Sequence, residues 1–306
     1  MLVAVAMLVG AIVPVQTAIN TRFRQSVGSP IGATFLSFIL AVAASCIIAA
    51  IATRTLVPDL TLVASEPWWV WLGGFMGVMF IAGNIVLFPE LGAVQTTILP
   101  ILGQVIMGLL VDATGLFRYP QTPVGPLRLL GALIVLIGIA MVLEVGRGAP
   151  LHGTARGPRA WALRAFGVLM GMGSATQTAV NGYLGKVLHS PIQAGQISLA
   201  VGLVVLLILV LVLPAPRAAV ASGVAPGPWW MWLGGLLGAV FVFGGATLSP
   251  ILGTGMTVIG SLVGMIICGQ LLESIGIGGG TKGVPTPLRF AGLVIVLVGV
   301  AMVRLL

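Results

Sequence analysis

One register shift governs this chain. Gln16-Thr17-Ala18-Ile19-Asn20 returns as Gln177-Thr178-Ala179-Val180-Asn181, a shift of 161 residues (177 − 16). Its surroundings return with it. Ser29-Pro30 becomes Ser190-Pro191, and Trp68-Trp69-Val70-Trp71-Leu72-Gly73-Gly74 becomes Trp229-Trp230-Met231-Trp232-Leu233-Gly234-Gly235. Pro89 becomes Pro250, Asp112 becomes Glu273, and Pro126-Leu127-Arg128 becomes Pro287-Leu288-Arg289. The alignment needs no gap, so the chain is a fused duplication. Its units are residues 1–143 and 161–306, joined by a basic linker, 144–160, that carries Arg147, His152, Arg156 and Arg159.

Charge decides what such units can be. Only 7% of the residues are charged, 58% are hydrophobic, and the mean hydropathy is +1.18. Soluble domains carry about 25% charged residues, so this chain could not cover a surface facing water. An all-α integral membrane protein is implied. The net charge of +8 sits in the breaks between apolar runs, where it speaks for orientation in a bilayer and against a nucleic-acid partner. Cys46 and Cys268 lie inside apolar runs and do not correspond under the shift, so they read as small hydrophobes.

A span needs about 20 apolar residues. Five such stretches fit the first unit, near 2–20 (interrupted at Pro14), 31–52, 67–88, 91–111 and 127–143, and five more repeat them. The apolar start is expected to stay as an uncleaved first span, because it lacks a basic leader and a clear cleavage site. Pro67 suits a first helical turn, the Trp clusters suit a membrane interface, and Pro89-Glu90 suits a tight corner. Five helices per unit is an odd number, so the second unit enters the membrane inverted, the plan of secondary transporters. One side then receives Arg22, Arg24, Arg147, Arg156, Arg159, Arg164, Arg217, Lys282 and Arg289, and the other Arg54, Arg118, Arg128, Lys186 and Arg304. Nine against five makes the linker side cytoplasmic and places both termini outside. Gly73 and Gly77, repeated as Gly234 and Gly238, and Gly131 and Gly138, repeated as Gly292 and Gly299, mark faces for close helix packing.

Candidate chemistry lies in polar groups that apolar helices carry at a cost. Gln16 and Asn20, like Gln177 and Asn181, share a helix face. An unpartnered amide in hydrocarbon costs roughly 2–7 kcal/mol, so both pairs should face protein or a wet cavity. The fourth helices carry stripes spaced by four: Thr96, Pro100, Gln104, Gly108 and Asp112, then Thr257, Ser261, Met265, Gly269 and Glu273. Pro100 frees a carbonyl one turn earlier, as broken helices do near a solute. Trp71 and Trp232 lie deepest in their clusters and are further candidates for contact with a substrate. The halves differ where Asn84 faces Gly245, Glu90 faces Ile251 and Gln104 faces Met265 under the shift, which suits a solute without two-fold symmetry.

Of six acidic residues, Asp59, Glu66 and Glu144 lie in polar connections and read as solvated. Glu90, Asp112 and Glu273 are the candidates for proton coupling, with Lys282 the expected partner of Glu273. No catalytic set is present, so the chain is not expected to be an enzyme. His152 and His189 lack companion ligands for a metal, and no cofactor is implied. Gly276-Ile277-Gly278-Gly279-Gly280-Thr281-Lys282 lacks the spacing of a phosphate loop.

With these motifs in place the chain resembles the drug/metabolite transporter superfamily, and in particular the fused two-unit form of its YdcZ-like five-helix family. The resemblance rests on Gly10…Pro14-Val15-Gln16…Asn20, Gly103-Gln104 and Asp112…Gly115. Ala175 in place of Pro14, and Met265 in place of Gln104, make the second unit the weaker match. The resemblance implies that helices one to four of each unit surround a central cavity and that helix five packs unit on unit. The small multidrug relatives carry a first-helix glutamate; set against Gln16 and Gln177, it argues against exchange of drug cations for protons. Ten-helix relatives are drawn with cytoplasmic termini, contrary to the charge count. The expectation is a multi-pass transporter of the bacterial cytoplasmic membrane that moves a small polar or amphipathic metabolite by alternating access. It would bind a small-molecule substrate amid membrane lipids, and the fusion would let a monomer suffice. The alternatives are a proton-coupled multidrug or cation exporter and a lipid-carrier flippase.

Overall fold

The computed structural model describes residues 2–118, 121, 123–142, 154–252, 254–277 and 286–305, with side chains left aside at 245, 246, 249–252, 254–259, 304 and 305. Glu144, Arg147, His152 and Lys282 fall outside these residues, as does most of the Gly-rich 276–282 segment. No strand occurs among the described residues. The first unit folds as α1 (Leu2–Val27), α2 (Pro30–Thr53), the short α3 (Leu60–Ala64), the long α4 (Leu72–Thr114) and α5 (Pro126–Val142). The second follows as α6 (Gly157–Val187), α7 (Pro191–Val212), the short α8 (Pro214–Ala221), α9 (Leu233–Leu252), α10 (Thr254–Ser274) and α11 (Pro287–Leu305).

The Ser-Pro pairs act as helix starts. Ser29 and Ser190 are extended N-caps whose hydroxyls accept from the backbone N–H of Gly32 and Gln193, at 3.2 and 3.3 Å. Pro30 and Pro191 fill the first helical turn, where a missing N–H does no harm. Two expected boundaries move. Instead of ending near Asn20, α1 continues through Pro14 and the arginines to Val27 and stops before Gly28, whose φ is 81°. The arginines have partners that allow this. Arg22 donates to Ser26 Oγ at 3.1 Å and Arg24 to the Ile85 carbonyl at 3.2 Å.

The second move concerns α4. In place of a corner at Pro89-Glu90, the helix runs for 43 residues with one break, at Gly92 (φ 82°, ψ 167°). At about 1.5 Å per residue it exceeds twice the roughly 30 Å of hydrocarbon, so it must cross twice. Pro89 has no N–H for the Ile85 carbonyl, and that is the oxygen Arg24 reaches. Just past the break the Val94 N–H, an orphan donor at a fresh helix start, donates to Glu273 Oε2 at 2.9 Å. The break is therefore tied down by α1 of its own unit and α10 of the other.

The packing of α5 on α11 shows how the units are related. A Cβ on Gly131 would stand 2.9 Å from the Gly299 carbonyl, and one on Gly138 would stand 2.8 Å from that of Gly292. The contacts run backwards along the pair. Equivalent helices thus lie antiparallel and the repeat is inverted, with the fifth helices packing unit on unit.

First helices cross over as well. Gly10 of α1 meets the backbone of Ser261 in α10, and its equivalent Gly171 meets the backbone of Pro100 in α4. Each first helix therefore rests on the fourth-helix segment of the opposite unit. Outward faces carry bare apolar side chains such as Leu8, Ile51 and Val212, each more than two-thirds exposed, as contact with lipid requires. Leu2–Val27, Pro30–Thr53, Trp68–Thr114 and Pro191–Val212 are each long and apolar enough to cross a membrane.

Candidate functional site

The pentads enter notches in the opposite unit. α1 runs antiparallel to α9, so Asn20 lies over Gly234 and Gln16 over Gly238. By the same relation Asn181 lies over Gly73 and Gln177 over Gly77. A Cβ at those glycines would come within 1.9, 2.6, 2.4 and 2.7 Å of the respective amide atoms. The glycine stripes that the sequence marks as packing faces are the space in which the amides sit.

Between the units lies a cavity of ≈ 90 Å³. Water needs about 10–15 Å³ of such volume, so it can hold a handful of water-sized guests. Gln16, Asn20, Gln177, Asn84 and Gln104 line it, as the sequence suggested. So do residues that the sequence reading missed: Ser37 and Ser198, Phe80 and Phe241, and Ser174. The first four are equivalent pairs under the repeat, and that doubling was the available signal. Ser174 faces Val13 under the shift and carried no such mark.

Within the wall Ser37 donates to Asn20 Oδ1 at 3.1 Å, Gln177 Nε2 donates to Ser198 Oγ at 3.3 Å, and Gln104 Nε2 donates to Ser174 Oγ at 3.3 Å. The amides of Gln16 and Asn84 make no hydrogen bond among the described residues and are free to take a guest.

Other sequence candidates fall elsewhere. Asn181 stays outside the cavity lining, half-buried beside Gly73, with its Oδ1 buried and unpartnered. Thr96 lines an adjoining void of ≈ 10 Å³ that Asn84, Pro100 and Gln104 share, and its hydroxyl is turned back to the Gly92 carbonyl at 2.8 Å. Ser261 is in the seam between α1 and α10, donating to the Ala6 carbonyl at 3.3 Å. The side chain of Thr257 lies outside the described set. Trp71 and Trp232 are absent from the lining. Their clusters form one 3₁₀ turn at each helix start, which keeps both rings at the helix end, and Trp232 packs on Phe23 with centroids 4.7 Å apart.

The three coupling candidates are paired and none of them lines the cavity. Arg128 donates to Asp112 at 2.7 Å and to the Val303 carbonyl at 2.9 Å. At the equivalent place Arg289 donates to Glu273 at 3.3 Å, and Lys282, the expected partner, lies outside the described residues. Both pairs are buried, where a lone charge would be costly. Glu90 is held by Arg159 at 2.5 Å and Thr154 at 3.1 Å, at the exit of the linker.

Glu66, expected to be solvated, instead joins the units. It accepts from Tyr183 Oη at 2.6 Å and from Arg118 at 3.4 Å, while Trp69 packs against Phe117 and Tyr183. The equivalents of Glu66 and Tyr183 are Gly227 and Arg22, so this clasp exists on one side only.

Two inverted repeats that exchange first helices around a cavity lined by uncharged polar side chains have the architecture of a membrane transporter. A family model described as "Putative inner membrane exporter, YdcZ" matches residues 1–141 and again 162–302. The chain belongs to this YdcZ family of the drug/metabolite transporter superfamily, as a fused two-unit member. No curated protein matches it. A solved protein crystal structure is similar in fold over 98% of this chain and 96% of its own, with a TM-score of 0.55 and 17% identity.

Proposed function

We propose that the protein is a ten-span secondary transporter that moves a small polar or amphipathic metabolite by alternating access, the two repeats rocking about the central cavity. One observation carries the reading: amides from both units, Gln16, Asn20 and Gln177, converge on a single cavity instead of sealing one another in a dry seam. Polar groups in hydrocarbon are retained where they serve a wet path. The family description supports outward transport, and the basic residues favour a cytoplasmic linker with both termini outside. A proton-coupled cation exporter is the weaker reading, because Asp112 and Glu273 are bonded to Arg128 and Arg289, away from the cavity.

Reconstitution into liposomes tests the proposal. Purified protein is first screened against a metabolite library for ligands that raise its thermal stability. A ligand is expected to cross proteoliposome membranes with wild-type protein, and to lose both binding and flux in Gln16→Leu and Gln177→Leu. Binding without flux would overturn the transport reading.

A further inference from the structure

The cavity has a chemistry more selective than its overall polarity. Its frame is symmetric: Gln16 with Gln177, Ser37 with Ser198, and Phe80 with Phe241 occupy equivalent positions and all line it. Onto this frame three polar groups are added in one sense only. Gln104, Ser174 and Asn84 line the cavity, and their equivalents are Met265, Val13 and Gly245. Gln104 and Ser174 are bonded to each other at 3.3 Å, and Gln104 and Asn84 share the adjoining void with Val13, Phe80 and Met265. Across the pseudo-two-fold from the Gln104–Ser174 pair, Met265 and Val13 offer only a thioether and methyl groups.

No charged side chain lines the cavity among the described residues. An ion seated here would exchange its water for neutral dipoles with no counter-charge at hand, because the buried carboxylates already hold arginines. Amide and hydroxyl groups offer both donors and acceptors. The size is bounded as well. An apolar cavity of about 150 Å³ holds benzene, and ≈ 90 Å³ holds less.

We infer that the cavity selects an uncharged solute of about five heavy atoms that carries a single polar group. Its single amide- or hydroxyl-like group would sit on Gln104, Ser174 and Asn84, and its apolar remainder against the methyl, thioether and phenyl groups that line the same cavity. This rests on the transporter reading for its biological sense, but it concerns binding alone.

Three probes of five heavy atoms and different charge decide it: propionamide, propionate and n-butylammonium, each titrated into the purified full-length protein while its thermal unfolding is followed. Propionamide is expected to raise the unfolding temperature, and the two ions are not. Gln104→Met and Ser174→Val, which copy residues that the other repeat already tolerates, should each weaken propionamide binding about tenfold, the value of one hydrogen bond. The unfolding temperature of each variant without ligand shows whether it folds. If Gln104→Met is unstable, Ser174→Val alone carries the comparison. Stabilisation by either ion equal to that by propionamide, no stabilisation by propionamide, or full affinity in the folded variants would each overturn the inference. A charged library ligand that still crosses liposomes would sink it and leave the transporter reading standing. Propionamide binding that fits this pattern, with no flux of any library ligand, would do the reverse.

Discussion

The amide–glycine notch is the unit from which this protein is built. Gln16 and Asn20 were legible as groups that must face something polar, since no helix in hydrocarbon carries such side chains idly. Their seats were not, because the glycines that admit them lie more than 200 residues away and look like ordinary packing glycines. The notch yields a prediction. In Gly234→Ala the new Cβ would stand 1.9 Å from Asn20 Oδ1, and Asn20 is buried with Ser37 as partner. Overpacking of this kind costs about 1–3 kcal/mol, so thermal unfolding in detergent should fall by several degrees, with Gly73→Ala behaving alike. The ion pairs yield another. Arg128→Ala strands Asp112 in a buried site, a loss of about 3–5 kcal/mol, whereas the double change Asp112→Leu with Arg128→Met should restore most of it. Measured unfolding temperatures of the single and double variants check this, and a double variant no better than the single would refute the pairing.

At the scale of elements, the repeat revealed which helices correspond, and composition revealed that they lie in a membrane. Helix ends were harder. Pro14 and the arginines at 22 and 24 look like a stop, yet α1 continues because those arginines find Ser26 and the Ile85 carbonyl. Pro89-Glu90 looks like a corner, but the turn falls three residues later, at Gly92, where the backbone reaches φ 82° without a side chain to obstruct it. Gly92→Ala should cost about 1–3 kcal/mol through that conformation alone, which is essentially open only to glycine. The break also fixes the void beside Thr96 and Gln104, so the variant should weaken binding of any ligand found. Unfolding temperature and ligand titration measured on the same sample separate the two effects.

Taken whole, the molecule is two units that cannot stand apart. Each first helix rests on the other unit's fourth segment, each pentad fills the other's notch, and Glu273 completes a helix start in the unit to which it does not belong. None of this crosses the linker, so a protease site placed within 144–153 should leave a cut protein whose halves co-purify and unfold together, while either half expressed alone should fail to accumulate. Size-exclusion chromatography of the cut sample is the measurement. The one-sided features were legible as unequal pairs, Gln104 with Met265 and Asn84 with Gly245, but only the folded chain brings Gln104 and Asn84 to the same wall.

Joining the two units in one chain frees them from a constraint. Two identical subunits related by a two-fold must offer every group twice, so a dimer of separate units could hold a glutamine on both flanks of its chamber or on neither. Once a single gene encodes both, each copy can drift on its own, and the chamber can acquire a polar group that has no twin.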